Sequence, residues 1–266
     1  MSYTIHPLPD IYGDEILRIE VGSTLHGTGL EGNEDHDEMG IYVEGPSPCI
    51  GVLESKLPVN GGTVTSRHYQ YRTAGEGNKS QPHDTDLICY SLRKWCRLAL
   101  AGNPSVLLVL FAPPEKVIRA SSLGVELRNH SQWFVSRSAG HAFLGYMEQQ
   151  RLRMTGQRSR AGRVRVMPDG QVDWKYAMHM LRLGYQGIEF LKEGTITLPV
   201  PGDVGDYLRQ VRQGNIAFED VIFLAEKLEK ELKILIENSK FPESPSRELI
   251  DDFCIRAHLS CWDGVT

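Results

Sequence analysis

The chain contains no long hydrophobic run. Its most apolar stretch, Val106 to Ala112, is far shorter than the ~20 residues needed to cross a bilayer. The start, Met1-Ser2-Tyr3-Thr4-Ile5-His6-Pro7, lacks the basic opening and apolar core of a signal peptide. A cytoplasmic protein with no membrane partner is therefore expected. Cysteine is sparse: Cys49, Cys89, Cys96, Cys254 and Cys261 form no Cys-x-x-Cys pair. An odd count in such a chain suggests reduced thiols. Cys254, His258 and Cys261 would share a helix face at i, i+4 and i+7, but no fourth zinc ligand is near in sequence. They read instead as a small buried helix face. Excess positive charge is also missing. A net charge of −5 argues against a protein coated for nucleic acid and leaves room only for a local basic patch. There is no internal repeat and no low-complexity tract.

What is present suits a soluble globular fold. At 266 residues, 41% hydrophobic and 24% charged, the chain can bury a real core in one domain or two small ones. Residues 15–112 read as mixed α/β. Pro46 to Gly62 is loop-rich, and the polar stretch Thr73 to His83 resembles a mobile loop between strands. Asp86 to Tyr90 reads as a strand. Ser91 caps a helix to about Leu100, and Gly102-Asn103-Pro104 ends it. Asn103 and Arg93-Lys94 are read as capping and packing residues. From about residue 120 the pattern turns helical: Leu144 to Arg153, Val172 to Lys192, Ile216 to Ser239, and Arg247 to His258. The expected plan is a domain over residues 1–118 and a helical domain over 119–266, with the site in the crevice between them.

The most informative stretch is Gly22-Ser23 followed by Asp35-His36-Asp37. An apolar segment, Ile16 to Val21, precedes it, and Gly40-Ile41-Tyr42-Val43 follows. This reads as strand, glycine-serine turn, short helix, loop and second strand. Alternate strand residues share a face, so Asp35 and Asp37 lie together. Adjacent carboxylates repel unless a cation joins them, and hard oxygen ligands suit Mg²⁺ or Mn²⁺. Gly22 permits close backbone approach, and Ser23 stands at a helix start whose free N–H groups suit phosphate. His26 reads as a solvated helix residue, with a phosphate contact as the alternative.

Gly22-Ser23 with Asp35-x-Asp37 resembles the signature of the DNA polymerase β-like nucleotidyltransferase superfamily. Asp37-Glu38-Met39-Gly40 is similar to the ending of one branch, predicted bacterial and phage nucleotidyltransferases. Tyr90 to Trp95 with Gly102-Asn103-Pro104 resembles that branch's second block, and Lys175 to Leu183 with Pro199 to Asp206 its third. The chain departs at Glu34, where Ser or Thr is usual, and in a slightly longer loop after Ser23. The resemblance implies a polymerase β-like mixed sheet with helices, followed by an all-helical half that closes on the nucleotide. It also implies a metal site of Asp35, Asp37 and a third carboxylate. Asp86 matches the family block, and Asp84 is the alternative.

Lys175, His179 and Arg182 fall at i, i+4 and i+7 on one helix face. They would attract a triphosphate, a role the resemblance strengthens. Arg151, Arg153, Arg158, Arg160, Arg163 and Arg165 form a basic run with no acid among them. It suits an RNA or DNA acceptor, although few aromatics are present to stack bases. The expected activity is transfer of a nucleoside monophosphate from a triphosphate such as ATP to a hydroxyl on an RNA 3′ end, a protein side chain or a small molecule. The alternatives are a non-catalytic nucleotide- or nucleic-acid-binding regulator on the same fold and, more weakly, a metal-dependent phosphohydrolase. The last would want histidines near the carboxylates, and only His26, His36 and His83 are close in sequence.

Overall fold

The computed structural model describes residues 13–29, 36–51, 62–65, 68–74, 84–156 and 172–263. Its first strand, β1 (Gly13–Glu20), turns at Val21 into a single-turn helix α1 (Gly22–His26) and returns as β2 (His36–Glu44). A short α2 (Pro46–Ile50), β3 (Gly62–Thr65) and β4 (His68–Arg72) lead to β5 (Thr85–Ser91). The helices α3 (Leu92–Leu100) and α4 (Pro104–Phe111), the edge strand β6 (Val117–Ala120) and α5 (Ser122–Asn129) follow. The rest is helical: α6 (Ser138–Met154), α7 (Trp174–Glu193), α8 (Gly202–Gln213), α9 (Phe218–Asn238) and α10 (Arg247–Trp262).

The sheet has six strands in the order β3-β4-β5-β2-β1-β6. Only β2 and β5 run parallel, with Asp37 opposite Asp86. The β1–β2, β4–β5, β3–β4 and β1–β6 pairs are antiparallel. A mixed sheet followed by a helical half is the expected class.

Side-chain alternation separates the two faces. On β2, Met39, Ile41 and Val43 enter the main core together with Trp95, Leu107 and Phe143 from the helices. The opposite face carries a second, small cluster of Tyr42, Tyr69, Leu87 and Cys89. That face also buries charge. The Arg18 guanidinium bonds Glu15 and Glu38, and Glu38 Oε1 lies 2.8 Å from His36 Nε2. These ties pin β1 to β2 directly behind Asp37.

The helix signals act locally as expected. Ser91 Oγ accepts from Lys94 N at the start of α3, and Asn103 Oδ1 accepts from Ser105 N and Val106 N at the start of α4. Asn103 Nδ2 also donates to Tyr146 Oη at 2.7 Å. The main core continues from Ile16 on β1 to Ala257 on α10. The expected boundary at residue 118 falls inside β6, and α10 packs back on α3 and β2. Two details differ from the sequence reading: the loop-rich stretch after residue 46 opens with α2, and the short strands β3 and β6 were not foreseen. The strand implied before Thr73 is β4, and most of the Thr73–His83 loop lies outside the described residues. Within the described residues no helix is long and apolar enough to cross a membrane.

Candidate active site

Asp37 and Asp86 are the centre of the candidate site. They occupy adjacent parallel strands as direct register partners, which places their Cα atoms about one strand spacing, ~4.8 Å, apart. Directly opposed residues project to the same side, here the helix-covered one. Both side chains are half-buried. Asp35 lies outside the described residues.

The start of α1 is pressed against this pair. Val21 N donates to Asp37 O at 2.7 Å, fixing the end of β1. Gly22 follows with φ +78°, and a Cβ placed there would lie 2.3 Å from Asp37 Oδ2. A side chain at residue 22 and the Asp37 carboxylate therefore compete for one space, and glycine resolves it. Ser23 is next on the helix, whose N-cap Val21 supplies no side-chain hydrogen bond.

Arg72 is a neighbour that sequence reasoning missed. It sits opposite Asp86 in the β4–β5 ladder, and its Nε donates to Asp86 Oδ1 at 2.9 Å. The hydrogen bond to Asp86 raises the Arg72 pKa first, and the fields of Asp86, Asp37 and Asp84 add to it. One guanidinium thus stands among three carboxylates, and the site already accommodates positive charge. Oxygen-only donors on one rigid face also fit a hard divalent ion. Asp84 is held by Thr73 Oγ1 at 2.8 Å and is not the register partner of Asp37. No signal before residue 73 marks Arg72, because its pairing depends on a loop closure between two strands.

The basic face of α7 meets the other end of α1, at His26. His26 is buried at 4% exposure, which corrects the solvated reading. Arg182 Nη1 donates to the His26 ring and, at 3.2 Å, to Gln186 Oε1. Gln186 Nε2 stands 3.3 Å from His26 Nδ1. Among the described residues no carboxylate pairs with Arg182, and Arg182 Nε and His179 Nδ1 are buried without a hydrogen-bond partner. Desolvation lowers the Arg182 pKa to about 10. Burial first, then Arg182, pushes both His26 and His179 well below the usual histidine value. Lys175, Arg212 and Arg153 add further positive field at His179. The result is a concentration of positive charge around Arg182 that no carboxylate pairs among the described residues, which is favourable ground for an anion.

The helical half grips α1 at several more points. Arg209 Nη1 donates to Gly27 O and Arg212 Nη1 to Thr28 O, each at 2.6 Å, and Val200 N donates to His26 O at 3.2 Å. The block Pro199 to Asp206 thus lies where it supports the glycine-serine helix. Its cue in the sequence was the resemblance to the family's third block, with no role assigned.

The arginine run divides. Arg151 pairs with Glu229 and Glu148, which ties α6 to α9. Arg153 stacks 6.0 Å from the Tyr176 ring. Arg158, Arg160, Arg163 and Arg165 lie outside the described residues, as does His83. His36 faces Glu38 on the far side of the sheet from Asp37, so it offers no ligand to the carboxylate pair.

No curated protein and no solved structure matches the chain. A family model does: RlaP, described as the RNA repair pathway DNA polymerase beta family, matches residues 14–256. That span takes in both aspartate strands, α1, the α7 basic face and the first part of α10, and so the chain belongs to this polymerase β-like nucleotidyltransferase family.

Proposed function

We propose that the protein transfers a nucleoside monophosphate from a nucleoside triphosphate to a hydroxyl at an RNA end, releasing pyrophosphate. The observation that carries this reading is the pairing of Asp37 with Asp86 against Gly22, with the Arg182 cluster at the other end of the same short helix. One flank suits cations and the other suits anions. A metal-bound triphosphate has both requirements.

Asp35, Asp37 and Asp86 would hold Mg²⁺ or Mn²⁺, which when bound supplies positive charge to the phosphoryl and leaving-group oxygens. The chain's own part is positioning. Gly22 brings the backbone close to the phosphates, and Ser23 adds a hydroxyl and an N–H. Arg182, His179 and Lys175 receive the β- and γ-phosphates, and Arg182 remains charged at neutral pH to hold the departing pyrophosphate. The acceptor oxygen forms a bond to the α-phosphorus as the bridge to the β-phosphate breaks. An RNA acceptor is favoured by the family's description as an RNA repair pathway polymerase and by the basic residues from Arg153 onward.

The test is label transfer from each α-labelled triphosphate to a defined RNA with a free 3′ hydroxyl, with Mg²⁺ or Mn²⁺ present. Transfer by the native protein, lost in both Asp37→Ala and Asp86→Ala, is expected. Triphosphate binding without transfer to RNA, to the protein or to small hydroxyl compounds would replace this reading with a regulatory one. Release of inorganic phosphate alone would indicate a hydrolase.

A further inference from the structure

A second cluster of metal-ligating side chains lies at the far end of β2. Asp37 and Glu44 are seven residues apart on that strand, which is ~23 Å at about 3.3 Å per residue. Glu44, Cys49 on α2 and His258 on α10 each offer a ligand atom, and the three atoms lie within 4.8 Å of one another. Glu44 and His258 are buried, and Cys49 is partly so.

The histidine is already oriented as a ligand. Its Nδ1 lies 2.7 Å from the carbonyl oxygen of Cys254. A carbonyl only accepts, so Nδ1 carries the proton. Nε2 then faces Glu44 Oε2 at 3.1 Å, and two lone pairs at that distance need a proton or a cation between them. A backbone carbonyl fixing the outer nitrogen is the usual second-shell arrangement of a metal-bound histidine. The strand end that carries the carboxylate is fixed too, since Trp262 Nε1 donates to the backbone carbonyl oxygen of Glu44 at 2.8 Å. On one side the group opens to a cavity of about 720 Å³ lined by Cys49, Cys254, His258 and Trp262.

We propose that Glu44, Cys49 and His258 bind a zinc ion, with its fourth position open to this cavity. One thiolate, one imidazole and one carboxylate suit zinc better than magnesium or calcium. Zinc–ligand distances of about 2.0–2.3 Å require donor atoms roughly 3.3–3.8 Å apart, so an inward shift of about an ångström completes the site. The ion would clasp α10 to the sheet. The ligand set differs from the Cys254, His258 and Cys261 trio, which reads from the sequence as a buried helix face. Cys261 takes no part, and two of the three donors come from the strand half of the chain. Cys254 lies 3.8 Å from His258 Nδ1, on the outer nitrogen, and is excluded from the first shell.

The test uses the full chain purified without chelator. One zinc per chain by elemental analysis is expected, and replacement by Co²⁺ should give a thiolate charge-transfer band. Cys49→Ser should abolish the band and weaken zinc binding at least a hundredfold, and His258→Gln should weaken it comparably with Cys49 intact. Cys254→Ser, Cys261→Ser and the Asp37→Asn/Asp86→Asn pair should all keep the band. Circular dichroism of each variant reports whether it folds. Absence of stoichiometric zinc, or a band that survives Cys49→Ser in a folded chain, would overturn the assignment. Neither outcome bears on the carboxylate site at the opposite end of the strand.

Discussion

Gly22→Ala isolates the contact on which the candidate site depends. The native φ of +78° is left-handed, and an alanine there costs about 1–2 kcal/mol. For 266 residues, an unfolding entropy of ~2.1 cal/mol/K per residue turns this into roughly 2–4 °C in Tm. The second effect is local. The new Cβ would meet Asp37 Oδ2 at 2.3 Å, with Asp37 Cγ at 3.1 Å and Cβ at 3.2 Å. Relieving the first contact takes the Oδ2 oxygen about an ångström from its place, and the Cγ and Cβ contacts require a few tenths of an ångström more. Displacement of that size at a reacting centre costs about a hundredfold in rate.

The expected result is therefore asymmetric: a small loss in Tm and a loss of label transfer near a hundredfold at saturating triphosphate. Gly194→Ala is the matched control. Gly194 has φ +74°, and its Cβ would meet the Phe241 ring at 2.8 Å, away from the carboxylates. It should lose comparable stability and keep turnover per folded molecule. In the Gly22→Ala/Asp37→Ala double variant any Tm loss beyond the backbone strain should return, since the Oδ2 and Cγ contacts are gone. Equal turnover in the two single variants would refute the reasoning.

Arg182→Gln removes a desolvated cation that no carboxylate pairs among the described residues, so nucleotide affinity by calorimetry should fall about 10- to 100-fold while the nucleotide-free Tm holds or rises. Unchanged affinity would move the phosphates elsewhere. His26 gives a pH prediction. Its unfolded pKa is near 6.5, and burial first and Arg182 second hold the folded value well below that. The unfolded state binds more protons in between, so stability is full above pH 6.5 and falls by about 1.4 kcal/mol per unit below it until the folded pKa is reached. His26→Gln should flatten that acid limb in urea unfolding between pH 7 and 5, and an unaltered slope would contradict it. Arg72→Gln removes a positive charge from beside the carboxylates. A unit charge about 4 Å from a divalent ion repels it by ~2 kcal/mol under water-like screening, so the Mg²⁺ midpoint in thermal-shift titrations should fall roughly thirtyfold at low salt. A higher midpoint would show that Arg72 instead positions Asp86 for the ion.

The elements legible in the sequence were those set by local chemistry. Ser91 and Asn103 announced α3 and α4 because a cap acts within three residues. The long apolar stripe from Val221 to Leu235 announced α9. The glycine at 22 signalled α1 because only a residue without Cβ tolerates both that φ and that neighbour. What escaped was set by distant pairing. Arg72 reaches Asp86 only through strand pairing, and nothing near residue 72 encodes the partner. His26 looked solvated because a five-residue helix shows no periodicity, and its burial comes from α7, some 150 residues later. Glu44 and Cys49 gave no metal signal because their companion is on the last helix.

The same long-range dependence bears on how the site works. A single helical turn has no stability of its own, since nucleation costs more than one turn returns. The conformation of α1 is therefore imposed from outside, and the pieces that impose it can be named. At its start, Val21 N is held by Asp37 O. At its end, Arg209 and Arg212 take the carbonyls of Gly27 and Thr28, Val200 takes that of His26, and Arg182 holds the His26 ring. The strand half sets one end and the helical half sets the other. The gap between Gly22 and Asp37 is consequently a property of both halves, and a change on α8 that never touches the carboxylates would still alter the space a triphosphate must enter.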